Sequence, residues 1–280
     1  MRVLVTGANG QLGSELRVIA TADYLFADIA ELDICSEEAV ADFVERNEID
    51  TIVNCAAYTN VDRAEEESDV AERVNTSAVA ILARVARRNG ARLIHISTDY
   101  VFGGESFDSP IKETTTAAPL GVYGRTKLFG ERAIEESGCD YVIIRTSWLY
   151  STYGKNFVKT ILRLASERDE LRVVDDQIGS PTYARDLAKV IAQICECEVF
   201  EGGVYHYSNA GEISWCDFAR AIVEIGGAEC RITPCTTAEY GAKAPRPAYS
   251  VLDTEKIRRS LGCVIPNWRV SLEECIKKML

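Results

Sequence analysis

The first 150 residues alternate short apolar runs with amphipathic segments, and this alternation restricts the fold more than any other feature. The apolar runs predict strands at 2–6, 24–28, 51–55, 92–97 and 140–145. The amphipathic segments predict helices at 11–20, 36–46, 69–89 and 123–136. Apolar strands separated by helices are typical of parallel sheets with right-handed crossovers. The pattern therefore predicts an α/β fold with a Rossmann-type doubly wound parallel sheet.

A glycine-rich turn joins the first predicted strand to the first predicted helix, with Gly7, Gly10 and Gly13 spaced three apart. This spacing is one residue longer at its start than the dinucleotide fingerprint G-x-G-x-x-G. Glycines let the backbone approach a pyrophosphate, which the N-terminus of the following helix attracts. An ordinary turn is the alternative interpretation, but the position of the glycines after the first strand favours dinucleotide binding.

Asp28 ends the second predicted strand, where an acid usually binds the ribose hydroxyls of the adenosine. Its negative charge also opposes a 2′-phosphate and would favour NAD over NADP. The alternative is a solvated carboxylate at the end of a strand.

A possible acid–base group lies further along the chain, in Tyr123-Gly-Arg-Thr-Lys127. A Tyr and a Lys four residues apart share one face of a helix, and a nearby ammonium favours ionisation of a phenol. Thr98 ends the fourth predicted strand, at the edge where sites form in open α/β sheets. We expect Tyr123 to protonate a substrate oxygen as hydride arrives, Lys127 to lower the pKa of Tyr123, and Thr98 to orient the carbonyl.

Composition excludes several other classes of protein. The formal net charge of −12 argues against a nucleic-acid partner, because phosphate neutralisation needs a basic surface. No apolar run reaches the ~20 residues of a membrane span, and no signal peptide precedes the first strand, so we expect a cytoplasmic protein without a membrane partner. The ten cysteines and two histidines lack metal-ligand spacing, so we predict no metal site.

Some polar and aromatic residues have ordinary interpretations. His95 alternates inward on its strand and is interpreted as core packing. The run Glu65–Glu67 is interpreted as a solvated helix start, and Asn75, unfavourable inside a helix, either faces solvent or holds something. Trp148 follows the fifth strand and could stack on a sugar or pack in the core, whereas Trp215 is interpreted as a core or interface residue.

The whole chain resembles the dTDP-4-dehydrorhamnose reductase family of the extended short-chain dehydrogenases/reductases. The resemblance rests on motifs that run from one end of the chain to the other: Val3-Leu-Val-Thr-Gly-Ala-Asn-Gly-Gln-Leu-Gly13, Val53-Asn-Cys-Ala-Ala-Tyr-Thr59, Val61-Asp-Arg-Ala-Glu65, Ser97-Thr-Asp-Tyr-Val-Phe102, Pro119-Leu-Gly-Val-Tyr-Gly-Arg-Thr-Lys127, Arg145-Thr-Ser-Trp-Leu-Tyr150, Asp176-Gln-Ile-Gly-Ser-Pro-Thr182 and Arg246-Pro-x-x-Ser-x-Leu252.

The resemblance implies a set of site residues. The implied catalytic residues are Thr98, Tyr123 and Lys127. Those implied to bind the cofactor are Gly7, Gly10, Gln11, Leu12, Gly13, Asp28, Asp33, Ile34, Ala56, Ala57, Tyr58, Thr59, Tyr123 and Lys127. Those implied to bind the deoxysugar are Thr98, Asp99, Tyr100, Tyr123 and Trp148.

The resemblance also implies an activity: the enzyme would reduce the 4-keto group of dTDP-4-dehydro-6-deoxy-L-mannose. The reductant would be NADPH, and NADH is also plausible. The product would be dTDP-L-rhamnose, for bacterial polysaccharide synthesis, and the enzyme a monomer or homodimer. Some family members use Mg²⁺ at a dimer interface through glutamates, but a full set does not map onto this sequence. We expect a NAD(P)-binding domain and a smaller C-terminal α/β substrate-binding region, the first made of 1–148 and 173–203 and the second of 149–172 and 204–280.

Three alternatives remain open. A related nucleotide-sugar ketoreductase would have a very similar sequence. An epimerase or dehydratase is a second alternative, although dehydratases commonly have Asp-Glu after the threonine, where this chain has Asp99-Tyr100. A non-catalytic regulatory subunit, of the kind that serves methionine adenosyltransferase, is the third, but such a subunit would not need Thr98, Tyr123 and Lys127 together.

Overall fold

The computed structural model describes residues 1–20, 23–197 and 199–279. Its centre is a six-stranded sheet in which every pair of neighbouring strands is parallel. The strands are β1 (Val3–Thr6), β2 (Tyr24–Ala27), β3 (Thr51–Asn54), β4 (Arg92–Thr98), β5 (Asp140–Thr146) and β10 (Gly203–His206), in the spatial order β2-β1-β3-β4-β5-β10. The order reverses between β1 and β3, and such a switch point opens a crevice at the carboxyl ends of the strands.

Helices cover both faces of this sheet, as the apolar character of its strands requires. One face packs against α1 (Gln11–Ile19) and α8 (Ala184–Glu196). The other packs against α2 (Glu37–Arg46) and α5 (Ala78–Asn89), with α6 (Val122–Ser137) beside them. The predicted fold class, a doubly wound parallel α/β sheet, is confirmed.

A second apolar cluster lies in the C-terminal part of the chain. It contains α7 (Phe157–Glu167), α9 (Trp215–Gly226) and α12 (Trp268–Lys277), packed on a parallel pair of strands, β7 (Glu170–Val174) and β12 (Arg231–Cys235). Short elements complete the fold: α3 (Val61–Ala64), α4 (Ser68–Glu72), β6 (Leu149–Tyr150), β8 (Ile178–Gly179), β9 (Thr182–Tyr183), β11 (Ile213–Ser214), α10 (Thr237–Tyr240) and α11 (Glu255–Leu261).

The structure corrects two helices that the sequence pattern predicts: the one at 69–89, and a last helix expected to follow Ser271, whose Ser-Leu-Glu-Glu start suits an N-cap. The predicted helix 69–89 is divided into three consecutive elements, which are α4, a π-helical stretch at Arg73–Ser77, and α5. The π-helical stretch contains the buried Asn75, whose side chain forms hydrogen bonds to neighbouring segments. The last helix begins at Trp268, ahead of Ser271, because Asn267 caps it by accepting from the Arg269 N–H at 3.0 Å. Ser271 instead lies buried inside that helix and donates to Asp186 at 2.6 Å.

Candidate active site

A cleft of about 480 Å³ opens at the carboxyl ends of β1, β2 and β3, where the strand order reverses. Seven of the predicted cofactor residues line it: Gly7, Gly10, Asp28, Asp33, Ile34, Ala56 and Ala57. The sequence analysis missed six further lining residues: Asn9, Ile29, Leu32, Cys35, Cys55 and Val74. Cys55 directly follows β3 and Ile29 lies two residues after β2, and this closeness to strand ends is the signal that could have identified them.

The glycine turn has the close packing that a pyrophosphate cradle needs. Gly7 adopts φ +62°, and a Cβ there would lie 2.6 Å from the Ala56 nitrogen. A Cβ at Gly13 would lie 2.6 Å from the Cα of Ala8, so helix α1 can approach the turn only with glycine in place. At Gly10 a Cβ would meet only the Gly7 carbonyl oxygen, at 3.2 Å, so this side of the turn is open to the cleft. The turn therefore fits a dinucleotide, with the first N–H groups of α1 free to bind its phosphates.

Asp28 lies on the rim of this cleft, where its carboxylate is held by two backbone donors. The N–H of Asn9 donates to it at 2.8 Å and the N–H of Ile29 at 2.9 Å. The guanidinium of Arg17 lies over the ring of Phe26, 4.5 Å from its centre. The carboxylate is thus fixed in direction, and the guanidinium of Arg17 is engaged with an aromatic ring.

The remaining predicted cofactor residues lie beside the cleft rather than on its wall. Gln11 accepts a hydrogen bond from Asn156 at 3.0 Å, and the Leu12 side chain is buried in the core, which leaves only its backbone to face a ligand. The Tyr58 N–H donates to Asn75 at 2.9 Å, its hydroxyl donates to Glu67, and Thr59 is exposed. Asn75 therefore does not face solvent; its side chain binds the backbone of Tyr58 and fixes the segment that follows β3.

Thr98 and Tyr123 come together at the end of β4. The buried Thr98 hydroxyl donates to Asp99 at 3.0 Å and accepts from the Tyr100 N–H at 3.2 Å. Tyr123 lies in the first turn of α6, and its ring meets the ring of Tyr100 edge-on at 5.4 Å. Burial raises the pKa of Tyr123 to about 12, against a lowering interaction with the Thr98 hydroxyl. The prediction that Lys127 lowers this pKa is wrong for this structure, because its ammonium is not among the groups that determine the Tyr123 pKa.

Lys127 follows one helical turn later and is almost completely buried, with 1% of its surface exposed. Its Nζ donates to the carbonyl of Ile96 at 2.6 Å and lies 3.1 Å from His95 Nε2. Burial lowers the pKa of Lys127 to about 8, although Glu131 opposes the shift. The sequence pattern indicates only core packing for His95, but the structure also places its ring in contact with the predicted catalytic lysine.

Asp99 is buried beside Thr98, with 2% of its surface exposed. Burial raises its pKa to about 6, although hydrogen bonds to its carboxylate oppose the rise. Its Oδ1 accepts from Thr98, whereas Oδ2 has no hydrogen-bond partner within the described ranges. The hydroxyl of Ser250 also acts on this carboxylate and holds the pKa of Asp99 down.

The acidic run Glu65–Glu67 directly precedes α4, and Glu65 and Glu66 are exposed, as the interpretation of a solvated helix start requires, but the run also has specific partners. Glu65 accepts from the N–H of Val122 at 2.8 Å and thereby caps the helix that carries Tyr123. Glu66 pairs with Lys243 at 2.7 Å, and Glu67 accepts from Tyr58. These contacts join residues distant in sequence, which is why the local pattern did not reveal them.

A larger cleft, of about 730 Å³, lies in the C-terminal part of the molecule. Its walls combine aromatic and basic side chains: Phe157, Trp215, Tyr240, Arg168, Arg172 and Arg246, with Gln177 beside them. Arg246 donates to Asp62 at 2.9 Å and exerts a charge effect on the Tyr100 phenol. Because Tyr100 packs on Tyr123, this arginine links the larger cleft to the predicted catalytic residues.

Trp148 stacks face to face on Trp215, with ring centres 3.6 Å apart and planes 10° apart. Its backbone has φ +48°, a conformation that is rare outside glycine. Gly179 accommodates the indole, since a Cβ there would lie 2.5 Å from the Trp148 ring. Trp148 itself does not line the larger cleft, but Trp215, which we had interpreted as a core or interface residue, does.

The chain also matches known proteins over its full length. The family model described as RmlD substrate binding domain matches residues 1–280. A dTDP-4-dehydrorhamnose reductase from Burkholderia thailandensis is 42% identical, with 100% of this chain and 99% of that protein covered. The chain belongs to the dTDP-4-dehydrorhamnose reductase family.

Solved structures of the family have the same architecture. The reductase from Clostridium acetobutylicum superimposes with a TM-score of 0.95 at 40% identity, covering 100% of this chain and 99% of that one. The reductase from Bacillus anthracis, solved in complex with NADP, gives a TM-score of 0.94 at 40% identity, covering 99% of both chains. The resemblance read from the sequence motifs is thus confirmed.

Over 1–20, 23–197 and 199–279, no group of three or more His, Cys, Asp or Glu side chains is arranged to hold a metal ion. No helix in those ranges has the length and apolar character to cross a membrane.

Proposed function

We propose that this protein uses NAD(P)H to reduce the 4-keto group of dTDP-4-dehydro-6-deoxy-L-mannose, giving dTDP-L-rhamnose. The proposal is supported by interactions that connect Lys127 with the dinucleotide cleft and Tyr123, through Tyr100, with the larger cleft. Lys127 interacts with Cys55, which lines the dinucleotide cleft. Tyr123 packs on Tyr100, which Arg246 of the larger cleft influences.

The two clefts take different parts of the reaction. Residues 1–148 and 173–203 would bind the dinucleotide, which supplies hydride to C4 when bound, and 149–172 and 204–280 would bind the sugar nucleotide. Arginine binds phosphate in a bidentate manner, so Arg246 and its neighbours suit the diphosphate. The aromatic side chains of the larger cleft suit stacking on the base.

The proposed roles at the reacting carbonyl follow from the hydrogen-bonding groups. Tyr123 gives its phenolic proton to the substrate oxygen, and Thr98 orients that oxygen. Asp99 accepts from a sugar hydroxyl, and Tyr100 and Trp148 shape the sugar site, Trp148 through its stack on Trp215. The cytoplasmic location and the monomeric or homodimeric state stay predictions, and the sequence leaves the use of Mg²⁺ open without supporting it.

The experiment is to supply purified protein with NADPH and dTDP-4-dehydro-6-deoxy-L-mannose and identify the product by NMR. We expect NADPH consumption only when the keto sugar is present, with dTDP-L-rhamnose as the product. A different C4 epimer would indicate a sister ketoreductase. No consumption with any keto-sugar nucleotide would favour a regulatory role.

Cofactor preference is a finer part of the proposal and has its own test. We expect both NADPH and NADH to support turnover, because Asp28 opposes a 2′-phosphate and Arg17 lies on Phe26. Asp28→Ala should shift the ratio of kcat/KM values towards NADPH, by about tenfold for a like-charge contact of ~1.4 kcal/mol. Glu31→Gln, which removes a neighbouring carboxylate, is the control. A wild type strictly specific for NADPH, with the variant unchanged, would contradict the placement of Asp28 at the ribose.

A further inference from the structure

A line of buried polar side chains runs under the proposed active site, from β1 through β3 and β4 to α6. The Thr6 hydroxyl donates to Asn54 Oδ1 at 2.7 Å. Asn54 Nδ2 lies 3.0 Å from His95 Nδ1, and His95 Nε2 lies 3.1 Å from Lys127 Nζ. All four side chains have 1% or less of their surface exposed. Of these four, only Lys127 belongs to the predicted catalytic residues, and the proposed function gives no role to the other three.

The orientation of the Asn54 amide follows from a backbone group. The Ala56 N–H lies 3.1 Å from Asn54 Oδ1, and a backbone N–H can only donate. The amide oxygen therefore faces Ala56, and the Nδ2 group faces His95. Since Nδ2 also can only donate, His95 Nδ1 must accept.

This assignment fixes the position of the ring proton. Burial holds the pKa of His95 well below its usual value, and Lys127 lowers it further, so the ring is neutral. A neutral imidazole that accepts at Nδ1 carries its hydrogen on Nε2. That hydrogen is directed at Lys127 Nζ.

The two forms of Lys127 respond to this hydrogen in opposite ways. A neutral amine has a lone pair that can accept from His95 Nε2–H, while one of its own hydrogens donates to the Ile96 carbonyl at 2.6 Å. An ammonium has no lone pair and would place hydrogen against hydrogen. The geometry around His95 therefore favours the amine.

We propose that Asn54 and His95 form a positioning pair that donates to the Lys127 amine, so that Lys127 works as a proton donor and acceptor rather than as a permanent charge. The proposal rests on the proposed function only for its use in the reaction. Lys127 then exchanges its proton with water: the ammonium gives a proton to water, and the amine that His95 stabilises takes one back.

The other groups that face Lys127 do not remove this preference. Cys55, beyond β3, and Glu131, on α6, both favour the charged form. Glu131 is already bound by Arg145, at 2.6 Å from Nη2 and 3.0 Å from Nε, and accepts from Ser97. Its charge is largely compensated, and burial of Lys127 outweighs it.

The two histidines of the chain allow a direct test by NMR, without substrate or cofactor. His206 Nδ1 lies 3.0 Å from the Ile111 carbonyl, which can only accept, so the neutral ring of His206 carries its hydrogen on Nδ1. The ¹⁵N spectrum of histidine-labelled protein should contain one imidazole of each tautomer, assigned with His206→Gln. A His95 ring protonated at Nδ1, or charged at neutral pH, would overturn the proposal even if the enzyme is active.

A matched pair of variants tests the effect on Lys127. Asn54→Asp places an acceptor opposite His95 Nδ1, which moves the ring hydrogen there and leaves Nε2 to accept from an ammonium. We expect the titration of Lys127, followed by NMR of its labelled side chain, to move up by about one pH unit or more. The alkaline limb of the kcat profile should move with it.

Thr6→Val removes one partner of Asn54 but keeps the Ala56 N–H that orients it, so the titration of Lys127 should stay where it is. Equal shifts in both variants would reduce the pair to a structural role and overturn the proposal. If Asn54→Asp does not fold, the tautomer of His95 in the wild type still decides the question.

Discussion

At the scale of single residues, Tyr123 combines a partly exposed ring with a pKa raised by burial to about 12. Such a phenol stays protonated throughout the working range of pH. It can still protonate the product, since an alkoxide is a stronger base than a phenolate. Burial thus keeps the Tyr123 phenol protonated, and the negative charge that develops on the substrate oxygen drives transfer of the phenolic proton to it.

Replacing Tyr123 by phenylalanine removes the proton donor and keeps the ring that packs on Tyr100. A positioned general acid contributes ~10²–10⁴-fold, so kcat should fall by about that factor while the Kd for NADPH is unchanged. Steady-state kinetics and fluorescence titration of the cofactor measure the two quantities. A near wild-type kcat, with hydride transfer shown to be rate-limiting by a deuterium isotope effect, would mean that the proton comes from another group.

Lys127 should affect stability as well as catalysis, because its pKa falls from the ordinary 10.5 to about 8 on burial. The unfolded chain therefore binds more protons than the folded one between these values, and stability rises with pH there. The wild type should gain up to about 3 kcal/mol relative to Lys127→Met across this range. Denaturant unfolding of both proteins at about pH 7 and about pH 10 measures the gain, with Lys155→Met, at an exposed lysine, as the control. A difference that does not change with pH would contradict the lowered pKa.

At the scale of elements, α6 depends on a cap that comes from another part of the chain. Its N-cap residue, Gly121, has no side chain with which to accept, and Glu65 supplies the acceptor for the N–H of Val122. A Cβ at Gly121 would lie 2.7 Å from this carboxylate, so only glycine at this position leaves enough space for Glu65 to cap the helix. The helix start, and with it Tyr123, is thereby anchored to the segment after β3.

Removing this cap should loosen the first turn of α6. Glu65→Ala should cost about 1 kcal/mol of stability and lower kcat, because Tyr123 lies one residue after the capped N–H. Glu65→Gln keeps a carbonyl acceptor and should retain most of both. Thermal unfolding and kinetics check the pair of variants. If glutamine were as damaging as alanine, the charge rather than the hydrogen bond would be the property that matters.

The sequence predicted five of the six strands of the central sheet to within one residue, because each of these strands is a compact apolar run bounded by polar residues. It did not assign the sixth strand, β10. It also identified Thr98, Tyr123 and Lys127 as a group, since the spacing along α6 and the end of β4 are local features. It did not reveal β12, which contains Pro234, or α11. Nor did it reveal the contacts of His95 and Glu65, because their partners lie 32 and 57 residues away.

At the scale of the whole molecule, the larger cleft in the C-terminal part is joined to the N-terminal part of the chain by a small group of polar contacts. The backbone N–H of Ala244 donates to Asp62 at 3.1 Å, and the Arg246 guanidinium donates to the same carboxylate at 2.9 Å. Burial would raise the pKa of Asp62, but Arg246 and Ala244 hold it below its usual value. Lys243 and Glu66 add an exposed ion pair next to them. Arg246 therefore contacts Asp62 in the first half of the chain and also lines the larger cleft.

This double attachment makes Arg246 the residue whose loss should separate substrate binding from cofactor binding. Arg246→Ala should raise KM for the sugar nucleotide by about 10-fold or more, as expected for a charged hydrogen bond worth ~1.5–3 kcal/mol, and leave the Kd for NADPH nearly unchanged. Asp62→Asn keeps the guanidinium and an acceptor, so its KM should rise less.

Arg168→Ala removes a cleft arginine that is outside this tie to Asp62 and serves as the control for lost positive charge. Kinetics with each substrate varied in turn, together with cofactor titration, separate these outcomes. Should Arg246→Ala weaken NADPH binding as much as sugar-nucleotide binding, the tie to Asp62 would be holding the dinucleotide part together, and the larger cleft would have to recognise its ligand through other side chains.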